Sequence, residues 1–333
     1  MPVFRLSAKW LYVALLVLCV AAAVAILCRK AVVHSFAKAQ NNIGWMYASG
    51  QGVSRNPAKA AVWYRRAAEH GLAEAQNSLG RLYAEGQGVP QDYAQAAVWY
   101  SKAAAQGNAE AQNNLGRLYD LGRGMPQDYA QAAVWYNKAA AQGLAEAQDN
   151  LGVLYAFGRG MPQDERQAAI LYHEAAEQGL AKAQADLGWL YVLGQGVQQS
   201  YEQAAILFRA AAAQGDAKAE TNLGVMYAFG QGVPQNFIQA ADWTRKAAGQ
   251  GFTEAQTNLA LMYYQGQGVQ QSYAEAYFWY ALAVMGKQAA NVRPEEVAIG
   301  RDEAASHLTP AERLQVQDRV QKWAATHPAK ADM

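Results

Sequence analysis

A Gly-x-Gly pair recurs seven times in this chain at one fixed interval. Its first glycines are Gly50, Gly86, Gly122, Gly158, Gly194, Gly230 and Gly266, each 36 residues after the one before. The frame around them reads A-x-A-Q-x-x-L-G-x-L-Y-x-x-G-x-G-V-P-Q-D-Y-x-Q-A-A-x-W-Y-x-K-A-A-x-Q-G, and seven copies without an insertion cover roughly residues 36 to 287. A period this short belongs to stacked supersecondary units, each burying its apolar face on its neighbours. The length of 333 residues would alone suggest two domains. The period overrides that expectation, because such an array grows without a central core.

One unit, Leu72 to Gly107, shows what each copy folds into. Ala75, Leu79, Leu82 and Tyr83 recur at helical spacing and predict an amphipathic helix A. Gly80 lies inside it, where glycine costs up to about 1 kcal/mol, so close approach of a neighbouring helix is expected there. Gly86 suits a left-handed cap and Gly88 a tight turn. Helix B then opens on a residue able to accept from a free backbone N–H: Asn56, Asp92, Asp128, Asp164, Ser200, Asn236 and Ser272 along the seven units. Three residues later stand Gln95, Gln131, Gln167, Gln203, Gln239 and Glu275, with Lys59 the exception, which predicts a capping box in six units. Pro57 occupies the first helical position of the first unit. Tyr93, Ala96, Ala97, Tyr100, Ala103 and Ala104 form one buried stripe on helix B. Val53, Val89, Met125, Met161, Val197, Val233 and Val269 follow the second loop glycine and read as apolar plugs. Trp63, Trp99, Trp135, Trp243 and Trp279 share one position on helix B, filled by Leu171 and Leu207 in units four and five, and read as packing between units.

The frame resembles the Sel-one-like repeat (SLR), a relative of the tetratricopeptide repeat. The segments A-x-A-Q-x-x-L-G, Y-x-x-G-x-G-V and A-A-x-W-Y-x-K-A-A carry the likeness, seven times in register over about three quarters of the chain. The resemblance implies an all-α fold, a right-handed α-α superhelix of seven 36-residue two-helix repeats, acting as an adaptor in membrane-linked complexes, signalling or host–bacterium interactions. Cysteine-rich bacterial members hold a disulfide in each repeat. This chain does not resemble them, since Cys19 and Cys28 are its only cysteines and both precede the repeats.

The ends differ from the array. Trp10 to Cys28 is 19 residues without a charge, flanked by Arg5 and Lys9 before it and Arg29 and Lys30 after it. As a helix it is about 28 Å long, close to the roughly 30 Å hydrocarbon core of a bilayer. Residues 1–31 are therefore expected to be an N-terminal membrane anchor, a transmembrane helix whose apolar part is residues 10–28. The rival is a signal peptide cleaved near Ala21-Ala22-Ala23, against which the apolar run continues through Val24, Ile26 and Leu27. A lipid-anchored cysteine is disfavoured by Leu18 and Leu27, which precede the two cysteines where a small residue is required. The short basic leading tail favours a single-pass protein of a bacterial inner membrane with repeats outside the cytoplasm. Residues 288–333 supply a closing pair, Pro294 to His307 and Thr309 to Thr326, the second opened by a capping box of Thr309 and Glu312 around Pro310. Val316, Val320 and Trp323 give it an apolar face, as the cap of a solenoid needs.

Chemistry is sparse. With 28 basic against 27 acidic residues and no basic stripe, nucleic acid is not the expected partner. The Gly-x-Gly loops follow helices, and Gln91 and its equivalents stand where a dinucleotide fingerprint needs its third glycine, so no cofactor is expected. His173-Glu174 opens like a zinc-protease motif, but Glu177 occupies the second histidine's place. His34, His70, His307 and His327 are scattered, His70 replacing the glutamine found at Gln106 and Gln142, and no metal site is expected. Ser35-Phe36-Ala37-Lys38 matches S-x-x-K without companion motifs, so no catalytic residue is assigned.

One stripe on helix A changes character. In unit two it reads Glu74, Ser78, Arg81 and Glu85, and in unit three Glu110, Asn114, Arg117 and Leu121. In units four to six Val153 and Phe157, Trp189 and Leu193, and Val225 and Phe229 are apolar, while Asn114, Asn150, Asp186 and Asn222 stay polar beside them. Apolar positions with adjacent amides suit a protein or peptide partner, the former taking side chains and the latter backbone. The alternative is that these residues pack between units. The resulting expectation is a membrane-anchored interaction scaffold that binds partner proteins or peptides on the concave face of the solenoid. Two others stand beside it: an enzyme on cell-wall compounds, which the family resemblance suggests, and a secreted effector if the N-terminus is cleaved.

Overall fold

The structure, a computed structural model, describes residues 8–286 and 293–327, with side chains from residue 29 onward. Among these residues there are sixteen helices and no strand. Helices A and B alternate as α1 (Ala8–Ser49) and α2 (Pro57–Glu69), α3 (Ala73–Glu85) and α4 (Tyr93–Ala105), α5 (Ala109–Leu121) and α6 (Tyr129–Ala140), α7 (Ala145–Phe157) and α8 (Glu165–Glu177), α9 (Ala181–Leu193) and α10 (Tyr201–Ala213), α11 (Ala217–Phe229) and α12 (Phe237–Gly249), and α13 (Thr253–Gln265) and α14 (Tyr273–Met285). They are followed by α15 (Pro294–Ser306) and α16 (Pro310–Thr326). The chain divides into two compact parts, one of residues 1–147 with 159–161 and the other of residues 148–158 with 162–333.

The sequence separates an anchor from the first unit, yet α1 is one helix through both. The reason is local: no glycine or proline interrupts the chain between Trp10 and Gly44. Among the residues whose side chains are described, no helix is long and apolar enough to cross a membrane. The run Trp10–Cys28, which carries the anchor expectation, lies outside them.

The loop after helix A exists to satisfy the helix's last carbonyls, which have no partner within the helix. Gly86, at φ 67°, ends α3 in the left-handed region and donates to the Leu82 carbonyl. The Asp92 N–H donates to the Tyr83 carbonyl at 2.9 Å, and Gln91 Nε2 donates to the Ala84 carbonyl at 2.8 Å. All seven cap side chains then accept a backbone N–H of the first turn of helix B. The predicted return bond of a capping box is absent from these units, because the cap's own N–H is already given to the tyrosine carbonyl nine residues before it. Among the described residues the complete box forms only at Thr309 and Glu312.

Two glycines bring helices together, the mid-helix one in units one to six, with Ala260 in its place in unit seven, and the second loop glycine in units two to seven. A Cβ at Gly80 would lie 2.7 Å from the Tyr100 ring, so the mid-helix glycine makes room for helix B of its own unit. A Cβ at Gly88 would lie 2.2 Å from the Pro57 backbone, so the second loop glycine sits on the first turn of the preceding helix B. Around these contacts the core forms in repeated layers. In the first part Ala96, Tyr100 and Ala103 of α4 meet Leu115 and Leu118 of α5, with Met125 and Trp135 packed on the same cluster. In the second, Phe208 and Ala211 of α10 meet Leu223 and Met226 of α11, with Val233 and Trp243. The tryptophans are thus half-buried packing between units, and Lys102, Lys138 and Lys246 lie over Trp99, Trp135 and Trp243 at 4.2, 4.0 and 3.8 Å from the ring centres. The last layer is closed by Val297 and Ala304 of α15 and by Val316 and Val320 of α16, which cover Phe278 of α14.

A row of glutamines links the units. Gln76 of α3 donates to the Ala68 carbonyl in the last turn of α2 at 3.1 Å, and its Oε1 accepts from Gln106 Nε2 at 2.7 Å. The second bond recurs from Gln142 to Gln112 at 2.8 Å, Gln178 to Gln148 at 2.7 Å, Gln214 to Gln184 at 3.0 Å and Gln250 to Glu220 at 2.8 Å. His70 and Gly286 stand where the end units need the donor. The buried Gln40 Oε1 and Gln256 Oε1 are left without a partner.

Candidate protein-binding face

The helix A stripe singled out in the sequence separates in the structure into an outward and an inward half. Phe157, Leu193 and Phe229 are 66, 55 and 71 % exposed. Each is the last residue of its helix, directly before a glycine in the left-handed region. Trp189, one turn earlier, is 38 % exposed and rests edge-on against Phe208, ring centres 6.1 Å apart. Val153 and Val225 are half-buried, and Val153 packs on the cluster of Ala168, Tyr172, Leu187 and Leu190. Val153 thus belongs in part to the packing between units.

The polar residues of the stripe are engaged to different degrees. Asn114 donates to Asn77 Oδ1 at 3.1 Å, and Asn77 donates to Glu110 at 2.8 Å, so the Asn114 amide is already used within the chain. Asn150 and Asn222 are half-buried on α7 and α11. Between them the pattern changes sign. Glu74, Glu110 and Glu146 give way to Lys182 and Lys218, and the position of Asn77 and Asn113 becomes Asp149. The buried Asp149 pairs with Lys182 Nζ, which lies 3.7 Å from Asp186. Burial draws the Lys182 ammonium down, but the Asp149 and Asp186 carboxylates outweigh it and hold it above the usual lysine range. Burial pushes the Asp186 carboxyl up to about 6; Lys182 opposes this and the neighbouring Asp149 adds to it. Asp186 therefore brings a carboxyl raised above the usual carboxylate range to a face whose other members are apolar or amide.

Two features lie beside the residues assigned to the face from the sequence. Leu121, 48 % exposed, occupies in α5 the same last-turn position as Phe157, and its signal is the register alone. On helix B, Val62, Val98, Val134, Ile170 and Ile206 form a second exposed apolar series, 47 to 54 % exposed, that Asp242 interrupts. In the last unit that position is Phe278, where Arg319 of α16 lies 4.5 Å from the ring centre and pairs with Glu275 at 2.8 Å. The His173-Glu174 pair has a structural use: Glu174 accepts from Gln148 at 2.8 Å, and His173 faces Glu177 at 3.8 Å.

The sequence model described as Sel1 repeat matches residues 37–72, 73–108, 109–144, 145–180, 181–216, 217–252 and 253–286. Among solved structures, the chain is similar to a Sel1 repeat protein from Oxalobacter formigenes, with 34 % identity, a TM-score of 0.64, and coverage of 79 % of this chain and 75 % of that one. It is also similar to a protective antigen of uropathogenic Escherichia coli strains displaying an SLR fold, with 25 % identity, a TM-score of 0.50, and coverage of 90 and 88 %. A search among curated proteins returns no match.

Proposed function

Because the chain belongs to the Sel1 repeat family, whose members generally mediate protein–protein interaction, we propose that it is an interaction scaffold holding a protein or peptide partner on the helix A face of units four to six. The observation that carries this is the exposure of Phe157, Leu193 and Phe229 at one position in three consecutive units. Large apolar side chains recurring in register offer a partner several anchor points, and buried aromatic anchors dominate binding energy at interfaces. Asn150, Asp186 and Asn222 lie on the same helices one or two turns away and supply the polar partners of the face.

The test exploits the difference between surface and core. Replacing both Phe157 and Phe229 by serine should abolish affinity capture of the partner while shifting the unfolding midpoint little, since exposed side chains contribute little to the core. A drop in midpoint on the scale of a large-to-small core change, about 3–5 kcal/mol, would make the face part of the packing and remove the site. Trp189 is less suited to this test because its ring rests on Phe208.

The same reading includes an N-terminal anchor through residues 10–28, in a bacterial inner membrane with the repeats outside the cytoplasm. Its support is the uncharged run and its basic flanks. Retention of the full chain by membranes after alkaline carbonate washing is the expected result. Recovery of a soluble form shortened by about 23 residues, as cleavage after the alanine triplet would give, would replace the anchor with a signal peptide.

A further inference from the structure

A cavity of about 720 Å³ opens where α1 runs on past the end of α2. Arg29, Lys30, Ala31, Val33 and His34 line it from α1, and His70, the residue that ends α2, lines it from the other side. Four of these six residues are basic, and among the described residues no acidic side chain lines it. The cavity begins at the residue after Cys28, where the apolar run stops.

The array's own requirements do not explain His70. In five later units the residue at this register is a glutamine that donates across its unit to a buried side chain of helix A. His70 does not make that bond. Gln40, only 6 % exposed, keeps its Oε1 without a donor. The imidazole instead meets the edge of Phe36, ring centres 6.3 Å apart, and borders the cavity. At the far end of the row Gly286 merely removes the donor, whereas His70 substitutes a different polar group and faces it elsewhere.

We propose that this cavity binds the phosphate of an anionic lipid headgroup. The inference rests on the anchored reading above, which sets Arg29 and Lys30 at the level of the lipid phosphates. A guanidinium can grip a phosphate with two parallel N–H bonds, an ammonium adds a compact charge, and an imidazole N–H donates to a further oxygen. His70 gives the site a wall that is not on the anchor helix. A plain juxtamembrane basic cluster lacks such a wall.

The full chain, purified in a non-ionic detergent, is to be titrated with phosphatidylglycerol, phosphatidylcholine and soluble glycerol 3-phosphate, and bound ligand counted by native mass spectrometry. Phosphatidylglycerol should be retained in preference to phosphatidylcholine. Arg29→Gln with Lys30→Gln should weaken its retention by more than tenfold, on the scale of about 1 kcal/mol for each cationic group near a lipid surface, and His70→Gln by roughly fivefold, on the scale of about 1 kcal/mol for one hydrogen bond. His70→Gln should melt no lower than the native chain, which excludes misfolding as the cause. Equal retention of the two lipids, or retention unchanged by His70→Gln, overturns the site. Glycerol 3-phosphate bound as tightly as phosphatidylglycerol overturns the lipid as its source and leaves a site for soluble phosphate esters. Carbonate washing reads the anchor separately: release from membranes with the phosphatidylglycerol preference intact would sink the anchor and not the cavity.

Discussion

A single missing methyl group shapes the first six units, and Ala260 stands at that register in the seventh. At Gly116 a Cβ would lie 2.7 Å from the ring of Tyr136, which is fully buried and has nowhere to move. Alanine is the better helix former by about 1 kcal/mol, so an exposed Gly→Ala change would stabilise the helix. Here the clash decides the sign: Gly116→Ala should lower stability by about 1–3 kcal/mol, read from the unfolding midpoint. The mid-helix glycine shows in the sequence as a breach of helix propensity, and so does the need for a close neighbour. Which aromatic fills the space does not show, because Tyr136 lies twenty residues further on. Asp186 poses the opposite problem. Its native carboxyl titrates at about 6, against about 4 in an unfolded chain. Between those values the native state binds more proton than the unfolded one, so stability falls as pH rises through the window. Asp186→Asn should remove that fall from the difference between the two proteins' stability curves, and at neutral pH it should melt no lower than the native chain. A loss of midpoint at neutral pH would show that the contact with Lys182 outweighs burial.

At the level of the helix, local and distant bonds separate cleanly. The caps of helix B are legible in sequence because donor and acceptor lie two or three residues apart, and Asp128→Ala should cost on the order of 1 kcal/mol in a thermal melt. The predicted return bond fails for an equally physical reason. The loop bends far enough that the Asp128 N–H reaches the Tyr119 carbonyl at 3.0 Å, leaving Gln131 nothing to accept from at the cap. The glutamine row was not legible, because its partners are thirty residues apart and each looks like an ordinary surface residue. Once seen, it assigns a meaning to the exception at His70. Restoring glutamine there gives Gln40 Oε1 a donor and should raise stability by about 1 kcal/mol, measured on the full chain in detergent. An unchanged or lower midpoint would mean that the first unit has relaxed away from the register of the others. The helix A stripe is legible as a pattern but not as a surface. Val153 and Phe157 are one turn apart on α7, yet the first packs on a neighbouring cluster and the second lies 66 % exposed.

For the molecule as a whole, the fold follows from the interval more than from any one residue. The thirty-six-residue interval returns each cap and loop to the same local task, which makes the two-helix units legible in the sequence, while the closing pair, outside the interval, shows through the Thr309–Glu312 capping box. The binding face depends instead on what each unit does not share with the others, and a chain read alone gives few such differences. Removal of residues 109–144, one family repeat, should leave a cooperatively folded protein with helix content reduced by one unit, as read by circular dichroism; a deletion out of step with the interval should not fold. The contact of the second loop glycine makes this asymmetric. Gly88 seats on Pro57, Gly124 on Tyr93 and Gly160 on Tyr129, always on the preceding helix B, while a Cβ at Gly52 would meet Met46 of its own unit. Each loop's seat therefore lies on its N-terminal side, and a change in the array's length that keeps loops and seats paired adds or removes a whole interval.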